Sequence, residues 1–197
     1  MTLNIDFSKT AVLSLHMQND IVLQEGKLGG FFGEQVEAGK VIEYGKQLIE
    51  NARSSKIPVI HVCVQFNPDY SDLIANSALL TMVKQVKALE KGKWGGDIVS
   101  ELHPLKDETV ISHQRVGPFY GTELSHILKK GGFDSIILFG VATNVIVETT
   151  ARVLSDEGYN VFIVEDCCSA ATLEAHQASL GSLSMLSKIV TVNEIFK

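Results

Sequence analysis

Cysteine is scarce in this chain of 197 residues, and its placement excludes a disulfide framework. The chain contains Cys63, Cys167 and Cys168, and the adjacent pair does not form a CxxC motif. Small secreted domains that depend on disulfides carry a higher density of cysteine than this. We therefore expect a cytoplasmic protein whose thiols stay reduced.

Positive charge and long apolar runs are also lacking. Acidic residues, 23 in number, outnumber the 17 lysines and arginines, which gives a formal net charge of −6, and no basic stripe is visible. We therefore expect no nucleic acid partner. No apolar run approaches the ~18 residues of a membrane span, and the first residues show no cationic segment followed by an apolar one. Neither a membrane partner nor a signal peptide is expected.

The phosphate-binding order of a P-loop is missing as well. The segment from Leu23 to Gly33 is rich in glycine but lacks the GxxxxGK[ST] pattern, so we predict a loop there. Hydrophobic residues make up 45% of the chain and charged residues 20%, which is ordinary for a globular protein. The length suits one α/β domain, to which we assign residues 1–197.

Short apolar runs alternate along the chain with segments of helical spacing. This alternation predicts a single-domain, three-layer α-β-α fold with a mainly parallel, doubly wound sheet of about six strands. The predicted strands are 10–15, 59–64, 108–112, 136–139, 160–164 and 188–192. The predicted helices are 36–55, 78–89, 122–130, 145–152 and 172–186.

The stretch at 133–152, FDSIILFGVATNVIVETTAR, carries the clearest functional signal. Its apolar run predicts a buried strand that Gly140 ends, and Thr143 and Asn144 can cap the helix that follows. A strand that leads straight into a helix gathers free backbone N–H groups, which bind an anion or the oxyanion of an acyl-transfer intermediate. Since ligands of open α/β sheets lie at the carboxyl ends of strands, we expect the site at this turn.

Polar side chains also follow two other predicted strands. His16, Gln18 and Asp20 come directly after the first strand, and His113 and Arg115 come directly after the third. The first group is also typical of a turn whose polar side chains satisfy backbone groups. Packing alone, however, does not predict two histidines at one crevice.

Two further residues have more than one interpretation. Cys63, inside the second predicted strand, is more typical of a small core residue than of a nucleophile. Trp94 lies in the long segment between the second and third strands, where lids and subunit contacts are common. Its side chain could cover a ligand or fill an interface.

A series of motifs runs in the same order as in a known family. The motifs are LSLHMQND at 13–20, IPVIHV at 57–62, HQRVGPFYGTEL at 113–124, GVATNVIVETTARVLSDEGY at 140–159 and VEDCCSA at 164–170. With them the chain resembles the isochorismatase-like hydrolases, the superfamily of isochorismatase, nicotinamidase and N-carbamoylsarcosine amidase. The resemblance implies a small-molecule substrate, a homo-oligomer such as a dimer or tetramer, and a cis peptide bond between Val141 and Ala142.

Members of that family typically use an Asp–Lys–Cys triad, in which the Asp activates the thiol, the Lys stabilises charge and the Cys attacks a carbonyl carbon. This sequence resembles the family around those positions but carries His16, His113 and Ile146 there. Isoleucine has no nucleophile, which excludes thiol catalysis at that place. The Asp-x-His metal motif of nicotinamidases is absent after the second strand, where the chain reads QFNPDY.

These replacements leave two hypotheses. In the first, the chain hydrolyses a small amide, ester or enol ether without a cofactor: His16 activates a water, and His113 or Arg115 stabilises the developing charge. In a variant, His16, His113 and Asp20 hold a divalent metal such as Zn²⁺. In the second hypothesis, the chain is an inactive member that binds a small ligand or serves as an oligomeric partner. The expected pocket residues are Gln18, Asp20, Trp94, Arg115, Phe119, Val141, Ala142, Asn144, Val145 and Ile146.

Overall fold

A six-stranded parallel sheet forms the centre of the computed structural model, which describes Leu3 and residues 5–197. Neighbouring strands all pair in parallel, in the order β3-β2-β1-β4-β5-β6. The doubly wound α/β fold that the sequence predicted is therefore confirmed. The strands are β1 Thr10–Leu15, β2 Val59–Val64, β3 Thr109–His113, β4 Ser135–Val141, β5 Asn160–Ser169 and β6 Lys188–Val190.

Helices cover both faces of the sheet. The crossovers from β1 to β2 and from β4 to β5 run in opposite directions across the sheet. Since connections between parallel strands are as a rule right-handed, their helices lie on opposite faces. None of the helices in the described part of the chain is long and apolar enough to cross a membrane. The helices are α1 Asn19–Val22, α2 Gly29–Ala38, α3 Val41–Ser54, α4 Ala78–Val86, α5 Leu124–Gly131, α6 Glu148–Asp156, α7 Leu173–Leu183 and α8 Val192–Ile195.

The central strands are buried over their whole length, which is why they read as continuous apolar runs. Every residue of β1, β2 and β4 is buried, as expected for parallel strands that helices cover on both sides. Gly45 of α3 allows a close approach to this core, because an added Cβ would lie 3.1 Å from the Phe139 ring of β4. The crossover helix α3 therefore packs directly on the centre of the sheet.

Most element boundaries shift by a few residues from the sequence prediction, and three of the differences have a clear structural cause. The glycine-rich segment is not all loop, since α2 begins at Gly29. The helix predicted over 36–55 is broken in two, because Lys40 has a left-handed conformation with a φ of 53° that separates α2 from α3. Strand β5 continues past Val164 to Ser169, because pairing with β4 resumes beyond a bulge. Local composition reveals neither the break at Lys40 nor the bulge in β5.

The sheet has its topological switch point between β1 and β4. The chain winds outward to β2 and β3 on one side and to β5 and β6 on the other, so a crevice opens where the carboxyl ends of β1 and β4 diverge. Leu15, the last residue of β1, pairs with Gly140 of β4. His16 therefore emerges beside the turn that follows β4.

Candidate active site

Two imidazole rings meet at the carboxyl ends of β1 and β3. His16 Nε2 lies 2.7 Å from His113 Nε2, and the two ring centroids are 4.9 Å apart in a stacked arrangement. The parallel register brings them together, because His113 pairs with Val64 of β2 and the His16 N–H donates to the Val62 carbonyl. The structure thus places both sequence-predicted histidines in one site.

Burial keeps both rings of the histidine pair neutral. His16 is 7% exposed and His113 is 1% exposed. Burial, followed by the proximity of His113, holds the pKa of His16 well below its usual value. Burial lowers the pKa of His113 to about 4. Since apolar surroundings disfavour the charged form of an imidazole, the pair carries no positive charge at neutral pH.

The hydrogen bond within the pair requires one ring to donate an N–H and the other to accept it. The Arg115 backbone N–H lies 3.4 Å from His113 Nδ1, at the outer limit of a hydrogen bond, so it constrains the proton position weakly. His16 Nδ1 has no hydrogen-bond partner among the described residues. Unlike His61 Nδ1, which also lacks a partner, it is not completely buried. It is the atom of the pair that can reach a ligand.

A cavity of about 60 Å³ adjoins His16. The turn after β4 forms one side of it, through Val141, Ala142 and Val145, and α2 and α4 contribute to the opposite wall. Apart from His16 and Arg115, the described residues that line it are apolar. They are Ile21, Leu28, Phe32, Val64, Phe66, Leu79, Leu80, Val83, Leu89, Val116, Val141, Ala142 and Val145.

The turn between β4 and α6 is not a simple helix N-terminus. The peptide bond between Val141 and Ala142 is cis, as the family resemblance implied, and Thr143–Val147 forms a π-helical turn. The Ala142 carbonyl accepts the N–H groups of Val145 at 3.1 Å and of Val147 at 3.3 Å. The Val145 N–H is therefore already bonded. It is not one of the free backbone donors that were predicted to bind an oxyanion at this turn.

Ile146 and Asn144 do not line the cavity, in contrast to the prediction for the same turn. Ile146 is fully buried in the core, and Asn144 is exposed to solvent. Residues three apart on a helical turn share a face, so Ala142 and Val145 point toward the cavity while the residues between them point elsewhere. The position of the missing nucleophile is thus filled by packed core.

Gln18 has a structural role instead of the predicted ligand contact. It is completely buried, and its Nε2 donates to the carbonyls of Val64 at 2.9 Å and Gly96 at 2.8 Å. Its Oε1 accepts the Val64 N–H at 2.8 Å. With both amide protons donated, Gln18 joins the end of β2 to the loop at Gly96, and it does not border the cavity.

Asp20 is likewise bonded to backbone, which argues against the metal site proposed from the sequence. Its Oδ1 accepts the Lys27 N–H and its Oδ2 accepts the Leu89 N–H. Within residues 3 and 5–197, no three His, Cys, Asp or Glu side chains are grouped closely enough to hold a metal. The two Nε2 atoms, at 2.7 Å, are also closer than the ~3 Å that tetrahedral zinc with bonds of ~2.0–2.1 Å would require. The donors present do not fit a metal.

Trp94 and Phe119 lie outside the cavity, which corrects their predicted role. Trp94 is 51% exposed and borders a separate hollow together with Cys63. Phe119 borders another hollow beside Tyr120. Both residues sit in irregular segments whose course the sequence pattern does not define. Burial raises the pKa of the Cys63 thiol to about 12, which favours its interpretation as a core residue.

Arg115 borders the cavity, but its charged end is held elsewhere. Its Nη1 donates to the Gln114 carbonyl at 3.0 Å, and its guanidinium carbon lies 5.7 Å from the centroid of the Tyr120 ring. Tyr120 borders the outer hollow and not the cavity. The guanidinium therefore has contacts outside the cavity as well as bordering it.

The outer wall of the cavity was not predicted from the sequence. It includes Leu28 and Phe32 near the start of α2, and Leu80 and Val83 on α4. The available signal was their spacing of three or four residues, which predicts a buried helix face. Such spacing does not distinguish a face packed on the core from a face that closes over a ligand.

The buried histidine pair should make the fold less stable in mild acid. Histidines of the unfolded chain bind protons near pH ~6.5. The folded pair resists protonation, since burial lowers the pKa of His113 to about 4. The unfolded state therefore binds more protons as the pH falls through this window, and the free energy of unfolding drops by roughly a few kcal/mol. Urea denaturation at pH 7 and pH 5 measures the loss.

The control for this stability prediction is the double variant His16→Gln/His113→Gln. Its two glutamine side chains are uncharged at every pH, and it retains the other buried histidines. Its free energy of unfolding should fall less between pH 7 and pH 5 than that of the native chain. Equal losses in the two proteins would contradict a neutral buried pair.

Comparisons with known proteins agree with this architecture. The Isochorismatase domain model matches residues 10–194. The isochorismatase family protein YecD of Escherichia coli O157:H7, itself described as uncharacterized, is 33% identical over 176 residues, with 89% of this chain and 91% of YecD covered. The ureidoacrylate amidohydrolase RutB of Acinetobacter baylyi is 30% identical over 192 residues, with 89% of this chain and 77% of RutB covered.

A solved structure shows the same fold. The isochorismatase family protein of Desulfovibrio vulgaris subsp. vulgaris str. Hildenborough superimposes with a TM-score of 0.85 at 24% identity, covering 95% of this chain and 96% of that one. The family match spans all six strands, the histidine pair and the turn after β4. This chain therefore belongs to the isochorismatase family, whose characterised relatives include amidohydrolases.

Proposed function

We propose that this chain hydrolyses a small amide or ester by direct attack of water, with His16 as the general base. One observation carries the proposal: a neutral imidazole, held by a second imidazole at 2.7 Å, adjoins a cavity at the switch point of the sheet. RutB, a relative at 30% identity, is an amidohydrolase by name, which supports this reaction class. With Ile146 in place of a nucleophile, no acyl-enzyme forms.

The histidine pair has two neutral arrangements, and hydrolysis uses one of them. In that arrangement His16 donates its Nε2 proton to His113 Nε2, and His16 Nδ1 keeps a lone pair. His113 then carries its own proton on Nδ1, and the long contact with the Arg115 N–H is given up. A water gives a proton to Nδ1 as its oxygen bonds to the carbonyl carbon, and the π electrons of the C=O bond move to the carbonyl oxygen, from which they return when the leaving group departs. The carbon–nitrogen or carbon–oxygen bond then breaks, and Nδ1 returns the proton to the leaving atom.

His113 acts through His16 and is a positioning residue. While His16 is protonated, His113 Nε2 accepts a hydrogen bond from the imidazolium, orients the ring and stabilises its charge. An enol ether would first have to be protonated on carbon, and a pair that is neutral at pH 7 supplies no such acid. The chemistry of the site therefore favours amides and esters among the three substrate classes.

The second candidate function is ligand binding without turnover. It is favoured by the turn after β4, where the Val145 amide bonds to Ala142 and cannot stabilise an oxyanion. An inactive member would bind the same small ligands without consuming them. Release of ammonia from acetamide or propionamide, or of acid from methyl acetate, distinguishes the two functions.

We further propose that the protein works in the cytoplasm as a homo-oligomer, either a dimer or a tetramer. The three cysteines are free and buried, which suits a reducing compartment. The assembly is proposed from the family resemblance. Sedimentation equilibrium of the purified chain measures the oligomer size.

Turnover should keep its full rate in mild acid. A general base works only while it is unprotonated, and burial holds the pKa of His16 well below its usual value. We expect kcat/KM to stay constant from about pH 8 to about pH 5 and to fall only at lower pH, whereas an ordinary histidine would titrate near ~6.5. A pH profile with its midpoint near that ordinary value would show that the base is not the buried pair.

A further inference from the structure

We infer that the cavity beside His16 selects uncharged amides or esters with a short aliphatic acyl chain and rejects carboxylates. This inference rests on the proposed function, because it names the substrate class of the same site. Three features carry it: the apolar wall, the lack of a free cation and the small volume.

The wall of the cavity cannot solvate an anion. Ile21, Leu28 and Phe32 line one part of it, and Leu80 and Val83 of α4 line another. A carboxylate that enters such surroundings loses its hydration without gaining a partner, which disfavours its binding. A neutral amide loses far less, and its carbonyl or amide group can bond to His16.

The one cation on the cavity wall among the described residues already has other contacts. Arg115 is the one charged side chain that borders it, and its guanidinium donates to the Gln114 carbonyl and lies against Tyr120. The buried His16 ring is neutral. A carboxylate substrate would therefore have to compete with these contacts for the one nearby cation.

The cavity volume limits the substrate to a few heavy atoms. At about 60 Å³ it is less than half of the ~150 Å³ of an engineered cavity that holds benzene. By that comparison it accommodates roughly two or three heavy atoms, which corresponds to an acetyl group or to the ethyl part of a propionyl group. Aromatic acyl groups do not fit the cavity with α2 and α4 in their present positions.

The test compares propionamide with propionate, which have the same number of heavy atoms and differ in charge at neutral pH. Binding to the full chain is measured by NMR titration at pH 7. Propionamide should bind at least about tenfold more tightly than propionate. Equal or tighter binding of propionate, or no binding of propionamide up to its solubility limit, would overturn the inference.

The same samples separate the inference from the proposed function. If propionamide binds preferentially but releases no ammonia, the proposed hydrolysis fails while the charge selection stands. If propionate binds more tightly and propionamide is nevertheless hydrolysed, the charge selection fails while the hydrolysis stands. Each proposal therefore has its own readout.

A pair of matched variants tests whether the missing cation causes the selection. Val116→Arg places a cation on the cavity rim, at a position that is 36% exposed and therefore tolerant of a charged side chain. Val86→Arg adds the same charge on α4 at an exposed position outside the cavity. Propionate should bind several-fold more tightly to Val116→Arg than to the native chain, whereas its affinity for Val86→Arg should be unchanged. Equal affinities for propionate in both variants would contradict selection by local charge.

Discussion

Replacement of His16 by alanine should reduce kcat for the hydrolysed amide or ester by about 10²–10⁴-fold. The imidazole that takes the water proton is lost, while the cavity wall from α2 and α4 stays in place. His113 loses its hydrogen-bond partner at the same time. Steady-state kinetics at pH 7.5, where burial keeps the native pair unprotonated, measure the loss.

Two controls separate catalysis from folding in the His16 experiment. The alanine variant leaves His113 Nε2 buried without a partner, which costs ~1–3 kcal/mol, so its folded fraction must be checked by urea denaturation. His126→Ala removes an exposed histidine on α5 and should retain full turnover and stability. Unchanged kcat in a folded His16→Ala protein would remove His16 from the mechanism.

The positioning role of His113 has its own readout. In His113→Gln, the side-chain oxygen can still accept the His16 Nε2 proton, so turnover should fall less than in His113→Leu, which offers no acceptor. The acid limb of the pH profile should also move toward neutral pH, because a protonated His113 no longer opposes protonation of His16 in acid. A purely structural role would lower the amount of folded protein in both variants and leave the pH profile unchanged.

Replacement of Gly140 by alanine should destabilise the fold by at least ~4 kcal/mol. Gly140 has a φ of 139°, a conformation that residues with a side chain rarely adopt. An added Cβ would lie 2.0 Å from the Leu15 carbonyl oxygen, so β1 and β4 would have to separate at the centre of the sheet. Urea denaturation, or the loss of soluble protein on expression, measures the effect.

Gly181→Ala is the matched control for Gly140→Ala. An added Cβ at Gly181 meets no atom within 4 Å, and the residue lies inside α7. Alanine loses less backbone entropy on folding than glycine does, so this variant should be about 0.5–1 kcal/mol more stable than the native chain. Similar stabilities of the two alanine variants would contradict the close contact between the strands at Gly140.

The convergence of His16 and His113 was predictable because it follows from topology alone. His16 comes directly after β1 and His113 is the last residue of β3, and parallel strands bring their carboxyl ends to one edge of the sheet. The roles of Gln18 and Asp20 were not predictable in the same way. A polar side chain after a strand can face a ligand or satisfy backbone groups, and the partners that decide this, Val64 and Leu89, are distant in sequence.

By itself, the sequence determined the doubly wound parallel sheet, the family, and the absence of a nucleophile at Ile146, since each depends on residue type and local pattern. The tertiary structure decided that burial keeps the histidine pair neutral, that the Arg115 guanidinium contacts Gln114 and Tyr120, and that α2 and α4 contribute to the apolar wall. Burial and contact between distant segments control these properties, and local sequence patterns specify neither.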